Sequence, residues 1–316
     1  MIGLTLGRPQ REVLGRTLVD LADENDRILV LDGDLGTSTR VDIFAGAHPE
    51  RFLQMGIAEQ NMFGVAAGLA TLGWIPFVST FASFAVCRAL DPIRVLIAQP
   101  SLGVKIAGGY SGLLTGLTGK THQVLDDIAV MRAMAHMTVI APGDAIEAEQ
   151  AIRAAADIPG PVYLRLTRDP SPVLMGPGYN FVIGRAVPLR SGSDIGLIST
   201  GTQTARVVAT AEILAREGIE AAILHLPTIK PLDAEAIIAF AEHVPAIVTS
   251  EEHTILGGLG GAVSEVLSRH RPTRILRHGI DDTFGESAPN EALLEKYGLL
   301  PTRLAAVVRG FLEELR

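Results

Sequence analysis

The chain has 316 residues, 47% of them hydrophobic and 20% charged, with 27 Lys and Arg against 35 Asp and Glu for a net charge of −8. That length predicts two domains at about 150 residues each, the composition excludes a disordered polymer, and the acidic balance speaks against nucleic acid as partner. A single cysteine excludes an internal disulfide and fits a reducing compartment, so a cytoplasmic location is expected, and no signal-peptide pattern opens the sequence.

In chain order, residues 9–24 read as an amphipathic helix with Val13, Leu14, Leu18 and Leu21 on one face, followed by a buried strand Arg27–Leu31 and the turn-rich run DGDLGTST. No charged residue lies between Glu59 and Arg88. The stretch is long enough to span a bilayer, but Gly64, Gly68, Gly73 and Pro76 interrupt it, so it reads as helix Ile57–Leu72, strand Ile75–Ser79 and helix Phe81–Ala98, with no membrane contact. A strand Val104–Ala107, a glycine-rich loop Gly108–Thr121, a helix 126–134, a strand Met137–Ile140, a helix Asp144–Ala156 and a strand Pro161–Leu166 complete the first unit. A proline- and glycine-rich break at 168–184 marks a linker, and alternation restarts at Ile195–Thr200 and runs to the helix 301–315. Strand and helix alternate throughout, which predicts an α/β protein of two doubly wound, mostly parallel domains: 1–170, a linker 171–186, and 187–316.

Several motifs fail on inspection. GLTGKT at Gly116–Thr121 has Leu114 where a P-loop needs glycine. GGLGG at Gly257–Gly261 lacks the third glycine of a dinucleotide loop and reads as close strand–helix packing. The eight histidines hold no pair at ligand spacing, so no metal site is expected within this chain alone. Asp32 and Asp34 end a strand, where ligands bind in such sheets. Glu59, in GIAEQNM, is a helix-start glutamate in apolar surroundings, and Phe81 and Phe84, in STFASF, follow a strand. Alone, each suits helix capping or core packing; together, a buried carboxyl and two aromatics suit a flat heteroaromatic cofactor.

GDLGTS, GIAEQNM, STFASF, THQ and SEEHTILGGLG, in that order, resemble the transketolase family, and the chain is similar over its whole length to the C-terminal half of a split bacterial transketolase. The resemblance implies thiamine pyrophosphate with Mg²⁺ on its diphosphate. Glu59 matches the family's catalytic glutamate on the aminopyrimidine ring, and His122 a histidine near the reacting carbonyl. Phe84 matches the pyrimidine-stacking aromatic, Phe81 its neighbour, Leu35 the side chain that props the cofactor bent, and Asp34 an acid at the cofactor interface. Arg168 matches a substrate-phosphate arginine, joined by Ser38 and Arg11; a guanidinium suits bidentate phosphate contacts. Two positions depart from the pattern: Tyr110 stands for a phosphate-binding histidine and Thr118 for an aspartate that reads sugar hydroxyls. The expected donor is therefore an unusual ketose phosphate, of which one branched at its third carbon is an example.

The family's diphosphate-binding GDG…N segment is missing, GDL at Gly33 being the one near match. The resemblance therefore implies an N-terminal partner subunit carrying that segment and most of the Mg²⁺ ligands, an α₂β₂ heterotetramer, and activity only in the complex. Glu251, Glu252 and His253 read as structural. The rival readings are the beta subunit of a 2-oxoacid dehydrogenase, disfavoured by Phe81/Phe84, THQ and Arg168, and a non-catalytic interaction protein on the same fold.

Overall fold

A computed structural model describes residues 5–315. Short apolar runs form its first seven-stranded sheet, whose strands are β1 (Ile28–Asp32), β2 (Phe52–Gln54), β3 (Ile75–Phe81), β4 (Lys105–Gly109), β5 (Thr138–Ile140) and β6 (Val162–Arg165), plus one strand from far along the chain. A second, five-stranded sheet holds β7 (Val187–Arg190), β8 (Ile195–Ser199), β9 (Ala221–His225), β11 (Ala246–Thr254) and β12 (Arg274–Ile280). The remaining strand, β10 (Thr228–Lys230), lies in sequence among the second set but pairs antiparallel with β5, giving the first sheet the order β10-β5-β6-β4-β3-β1-β2. The second sheet runs β12-β11-β8-β9-β7, with β7 its antiparallel edge and every other pairing parallel. The expected α/β class and mostly parallel sheets are what the chain adopts.

Helices cover both faces of the first sheet. Gln10–Glu24 and Ala145–Asp157 close one face, with Leu14 and Leu18 packed in a cluster with Ile152 and Ala155. Glu59–Thr71 and Ala82–Arg88 close the other, where Phe63, Ala66 and Val86 join an apolar cluster that continues into Ile198, Ile247 and Leu259 of the second sheet's segment. One core thus spans both sheets. The helix expected over Phe81–Ala98 is broken: Phe81 is the extended last residue of β3, a helix runs Ala82–Arg88, and after Leu90–Pro92 the chain continues as a π-helical turn Ile93–Ala98. Pro92 has no N–H to give and cannot continue regular bonding. The strands β2, β7 and β10 were not expected; they are three or four residues long. Among the described residues no helix is long and apolar enough to cross a membrane.

The end of β11 ties the two halves together. Glu251 accepts from the Leu259 and Gly260 amides at 2.7 and 2.9 Å, capping the helix Leu259–His270. Glu252 accepts from the Leu113 amide at 2.9 Å and pairs with Arg206 at 3.1 Å. His253 accepts from the Ile128 amide at 3.1 Å through Nε2, in the first turn of the helix Asp127–Ala133, and donates from Nδ1 to its neighbour's carbonyl at 2.7 Å. All three side chains are buried. Each holds another element of the fold in place. A Cβ at Gly258 would fall 2.1 Å from a Glu251 oxygen, so that glycine run makes room for an internal carboxylate.

Lys105 is buried under the first sheet, its ammonium donating to the Ile158 and Gly160 carbonyls, the latter at 2.9 Å, and burial pushes it down from 10.5 to about 8. The folded chain therefore carries a penalty for the charged form that is present in full below pH 8 and is relieved as pH rises towards 10.5, because the unfolded chain holds the proton longer. Urea unfolding should show the stability difference between wild type and Lys105→Met moving in favour of wild type by about 2 kcal/mol between roughly pH 7.5 and 9.5; a constant difference would show that Lys105 does not titrate in that range.

Candidate active site

In the first sheet, β1 is followed in sequence by β2 on one side of it and by β3 on the other. Chain reversals of this kind open a crevice at the carboxyl ends of the strands. Asp34 and Leu35 follow β1, Phe81 ends β3, Tyr110 follows β4 and Arg168 follows β6, so one sheet edge collects residues far apart in sequence.

Glu59 is the first residue of its helix and 4% exposed. A carboxylate there meets the positive end of the helix, and among the described residues its charged partner is Arg88, whose Nη1 lies 2.8 Å from Oε1. The same guanidinium lies flat-ring distance from Phe84, 4.2 Å from the ring centroid. Phe84 in turn packs against Phe81 at 5.6 Å and edge-on to His122 at 5.3 Å. Phe81 stacks on Tyr110 at 4.1 Å, and His122 also meets Phe81 at 6.0 Å. Glu59, Phe81, Phe84, Tyr110 and His122 therefore form one connected cluster through Arg88. A cleft of about 680 Å³ opens beside it, lined by Phe84, Cys87 and Arg88 on one wall and by Leu256, Thr283 and Phe284 of the second domain on the other. Cys87 is exposed on this wall, and partial shielding of its thiol, with Asp126 and Asp127 nearby, pushes it up from its ordinary value.

Tyr110 is buried and holds a left-handed φ of 55°, a strained conformation for a bulky side chain. Its hydroxyl accepts from Arg11 Nη1 at 3.0 Å, and that arginine also donates to the Ser38 carbonyl at 3.0 Å. The guanidinium carbons of Arg11 and Arg168 lie 5.8 and 5.6 Å from the Tyr110 ring centroid. Arg11, Ser38, Tyr110 and Arg168 are thus brought together. The Tyr110 hydroxyl, and after it the Asp169 carboxylate, raise the Arg168 guanidinium above its ordinary value.

The loop after β1 is held by Asp32. Its buried carboxylate accepts from the Leu35 and Gly36 amides, each at 3.1 Å, and from Gln54 Nε2 at 2.9 Å. Burial nonetheless pushes that carboxyl up. Leu35 is half-buried, while Asp34 is exposed with a left-handed φ of 64° and its amide donates to Gln54. Thr118 is exposed, its hydroxyl paired with Thr115. Sequence reasoning missed Arg88, Gln54 and Gln123. Arg88 was visible as the charge that ends the uncharged run, and Gln123 as the last letter of THQ. Gln123 Nε2 donates to the Glu286 carbonyl at 2.9 Å and to Leu113 at 3.1 Å, fastening the second domain to the loop that carries His122.

Comparison with known proteins agrees with this geometry. Residues 8–172 match the family model "Transketolase, pyrimidine binding domain" and residues 184–304 match "Transketolase, C-terminal domain". A putative transketolase C-terminal section from Methanocaldococcus jannaschii is 44% identical, covering 92% of this chain and 92% of that one. The 6-deoxy-6-sulfo-D-fructose transketolase subunit SqwH from Clostridium sp. strain MSTE9 is 39% identical, covering 89% of this chain and 88% of that one. A solved structure described as a split gene transketolase, inactive beta4 tetramer, superposes with a TM-score of 0.91 at 45% identity, covering 97% of this chain and 99% of that one. Matched along nearly their full length by relatives that are themselves half-length, these 316 residues belong to the transketolase family as a C-terminal subunit of the split type.

Proposed function

We propose that this chain supplies the pyrimidine side of a thiamine pyrophosphate site and, joined to an N-terminal subunit, transfers a two-carbon ketol unit from a ketose phosphate to an aldose phosphate. The observation that carries the reading is Arg88: one planar, nitrogen-rich cation hydrogen-bonds Glu59 and covers Phe84. A flat, nitrogen-bearing group already lies between that carboxylate and that ring, which supports an aminopyrimidine as what the place would take. When bound, the cofactor supplies the carbanion equivalent that the protein's own side chains lack.

In this reading Glu59 holds the ring by hydrogen bond and exchanges a proton with it, Phe84 gives it a stacking face, Phe81 backs Phe84, and Leu35 props the cofactor from the β1 side with Asp34 beside it. His122, edge-on to both phenyl rings, exchanges a proton at the substrate's reacting oxygen. Arg11, Ser38, Tyr110 and Arg168 hold the charged end of the sugar, with Thr118 nearer its hydroxyls. Domains at 1–170 and 187–316 with a linker at 171–186, Mg²⁺ bound mainly by the partner, an α₂β₂ assembly and a cytoplasmic location complete the proposal. Tyr110 and Thr118, in place of the family's histidine and aspartate, support an unusual donor, branched at its third carbon or otherwise altered, and the SqwH relative is named for a sulfonated sugar. Phe81 and Phe84, THQ and Arg168 together favour a sugar phosphate over the oxoacid of the rival enzyme class.

Isothermal calorimetry with thiamine pyrophosphate and Mg²⁺ should show binding to the complex and none to this chain alone; tight binding by the isolated chain would refute the split site. Glu59→Ala should lower kcat of the complex by about 10²–10⁴, and undiminished turnover would dismiss Glu59 as the proton-exchanging group. In the cofactor-free chain Arg88→Ala should cost about 1–2 kcal/mol in urea unfolding, since it strands a buried carboxylate although the arginine itself is half exposed. A loss near zero would mean that water serves Glu59 equally well.

A further inference from the structure

Arg168 does not stand in the site as a free cation. Its Nη1 pairs with Asp169 Oδ1 at 2.8 Å. Pairs between part-exposed neighbours are ordinarily transient, but this carboxylate is held from a second side. Asn290, in the second domain, donates from Nδ2 to Asp169 Oδ2 at 2.6 Å and to the Leu114 carbonyl at 3.2 Å. The Asn290 oxygen sits against Gly116, where a Cβ would come within 2.2 Å, so the asparagine is itself wedged in place. Arg11 differs: its contacts are the neutral Ser38 carbonyl and Tyr110 hydroxyl. The end-group site therefore presents two guanidinia and one fixed carboxylate around a neutral phenol, a net single positive charge.

We propose that Asp169 is a specificity-determining residue that sets the charge of this site, so that it selects a singly charged tetrahedral oxyanion, a sulfonate or the monoanion of a phosphate ester, over a phosphate dianion. Asn290 is the positioning residue that keeps Asp169 on Arg168. A monoanion matches the net charge of the site. A dianion leaves one charge unmatched and lies beside a carboxylate that cannot swing away, a repulsion that persists where the groups are partly shielded from water. The inference rests on reading Arg11 and Arg168 as the end-group site of a ketol transferase.

The test uses the complex with its partner subunit, turning over whichever ketose phosphate it accepts, and measures inhibition by inorganic phosphate and by methanesulfonate at about pH 8.5, where phosphate is a dianion. Wild type should be inhibited more strongly by methanesulfonate. Asp169→Asn should strengthen inhibition by phosphate about tenfold, the effect of one nearby charge in partly screened surroundings, leave methanesulfonate within about twofold, and lower KM for the phosphorylated donor with kcat kept. Asn290→Ala should move the phosphate-to-sulfonate ratio in the same direction by less. An unshifted ratio in Asp169→Asn overturns the inference; if that variant does not fold, an unshifted ratio in Asn290→Ala does so. A wild-type complex that turns over no ketose phosphate would remove the functional reading and the inference together, whereas turnover with an unshifted ratio removes the inference alone.

Discussion

The strand end Glu251–Glu252–His253 is the constraint on which the rest of the molecule depends. Two carboxylates and an imidazole buried at one place are costly unless each is fully bonded. Here each is bonded to backbone amides that begin another element: the helix Leu259–His270, the loop at Leu113 and the helix Asp127–Ala133. Orphan amides and buried acceptors satisfy one another. The fully buried pair of Asp127 with Arg165, 2.9 Å apart, extends the same knot, because Arg165 donates to the Glu252 carbonyl at 2.9 Å. The glycine-rich loop that carries Tyr110 and His122 is thereby fixed from the second domain, and Gly112 is required where a Cβ would come within 2.4 Å of a Glu252 oxygen.

With that loop fixed, the candidate site becomes a chain of contacts in place of a set of separate residues. Tyr110 is its hinge. Its left-handed backbone presses the ring against Phe81 and leaves the hydroxyl to Arg11, so the aromatic stack and the guanidinia of Arg11 and Arg168 share one side chain. Local strain of this kind is retained where surrounding contacts over-determine it. The second domain, which brings Gln123's partner carbonyl, Asn290 and the Leu256–Phe284 wall, is a structural part of the crevice as well as a neighbour of it.

Much of this was legible in the sequence, for a physical reason. Strands buried on both faces of a parallel sheet are continuous apolar runs, so β1, β3, β4, β6, β8 and β9 stood out. The strands β2, β7 and β10 did not, because three or four residues carry no period and their pairing is decided by distant partners. The single helix read over 81–98 passed over Pro92, where regular bonding is disrupted. Within the cluster, Glu59, Phe84 and His122 had been singled out by motif order. The Glu59–Arg88 pair and the Asp169–Asn290 bracket were not, since sequence separations of 29 and 121 residues leave no local trace.

The pairing of β10 with β5 also orders events in time. Thr228 lies opposite Ile140, and the last strand of the first sheet is drawn from beyond β9 of the second. During synthesis the first sheet must wait with β5 as an open edge while the linker and three strands of the other sheet emerge. Contacts of such sequence separation close late and slowly, and an open edge is the surface on which chains pair wrongly. The two halves therefore mature as one cooperative unit, and the span between Ile140 and Thr228 is the interval in which a nascent chain is most in need of protection.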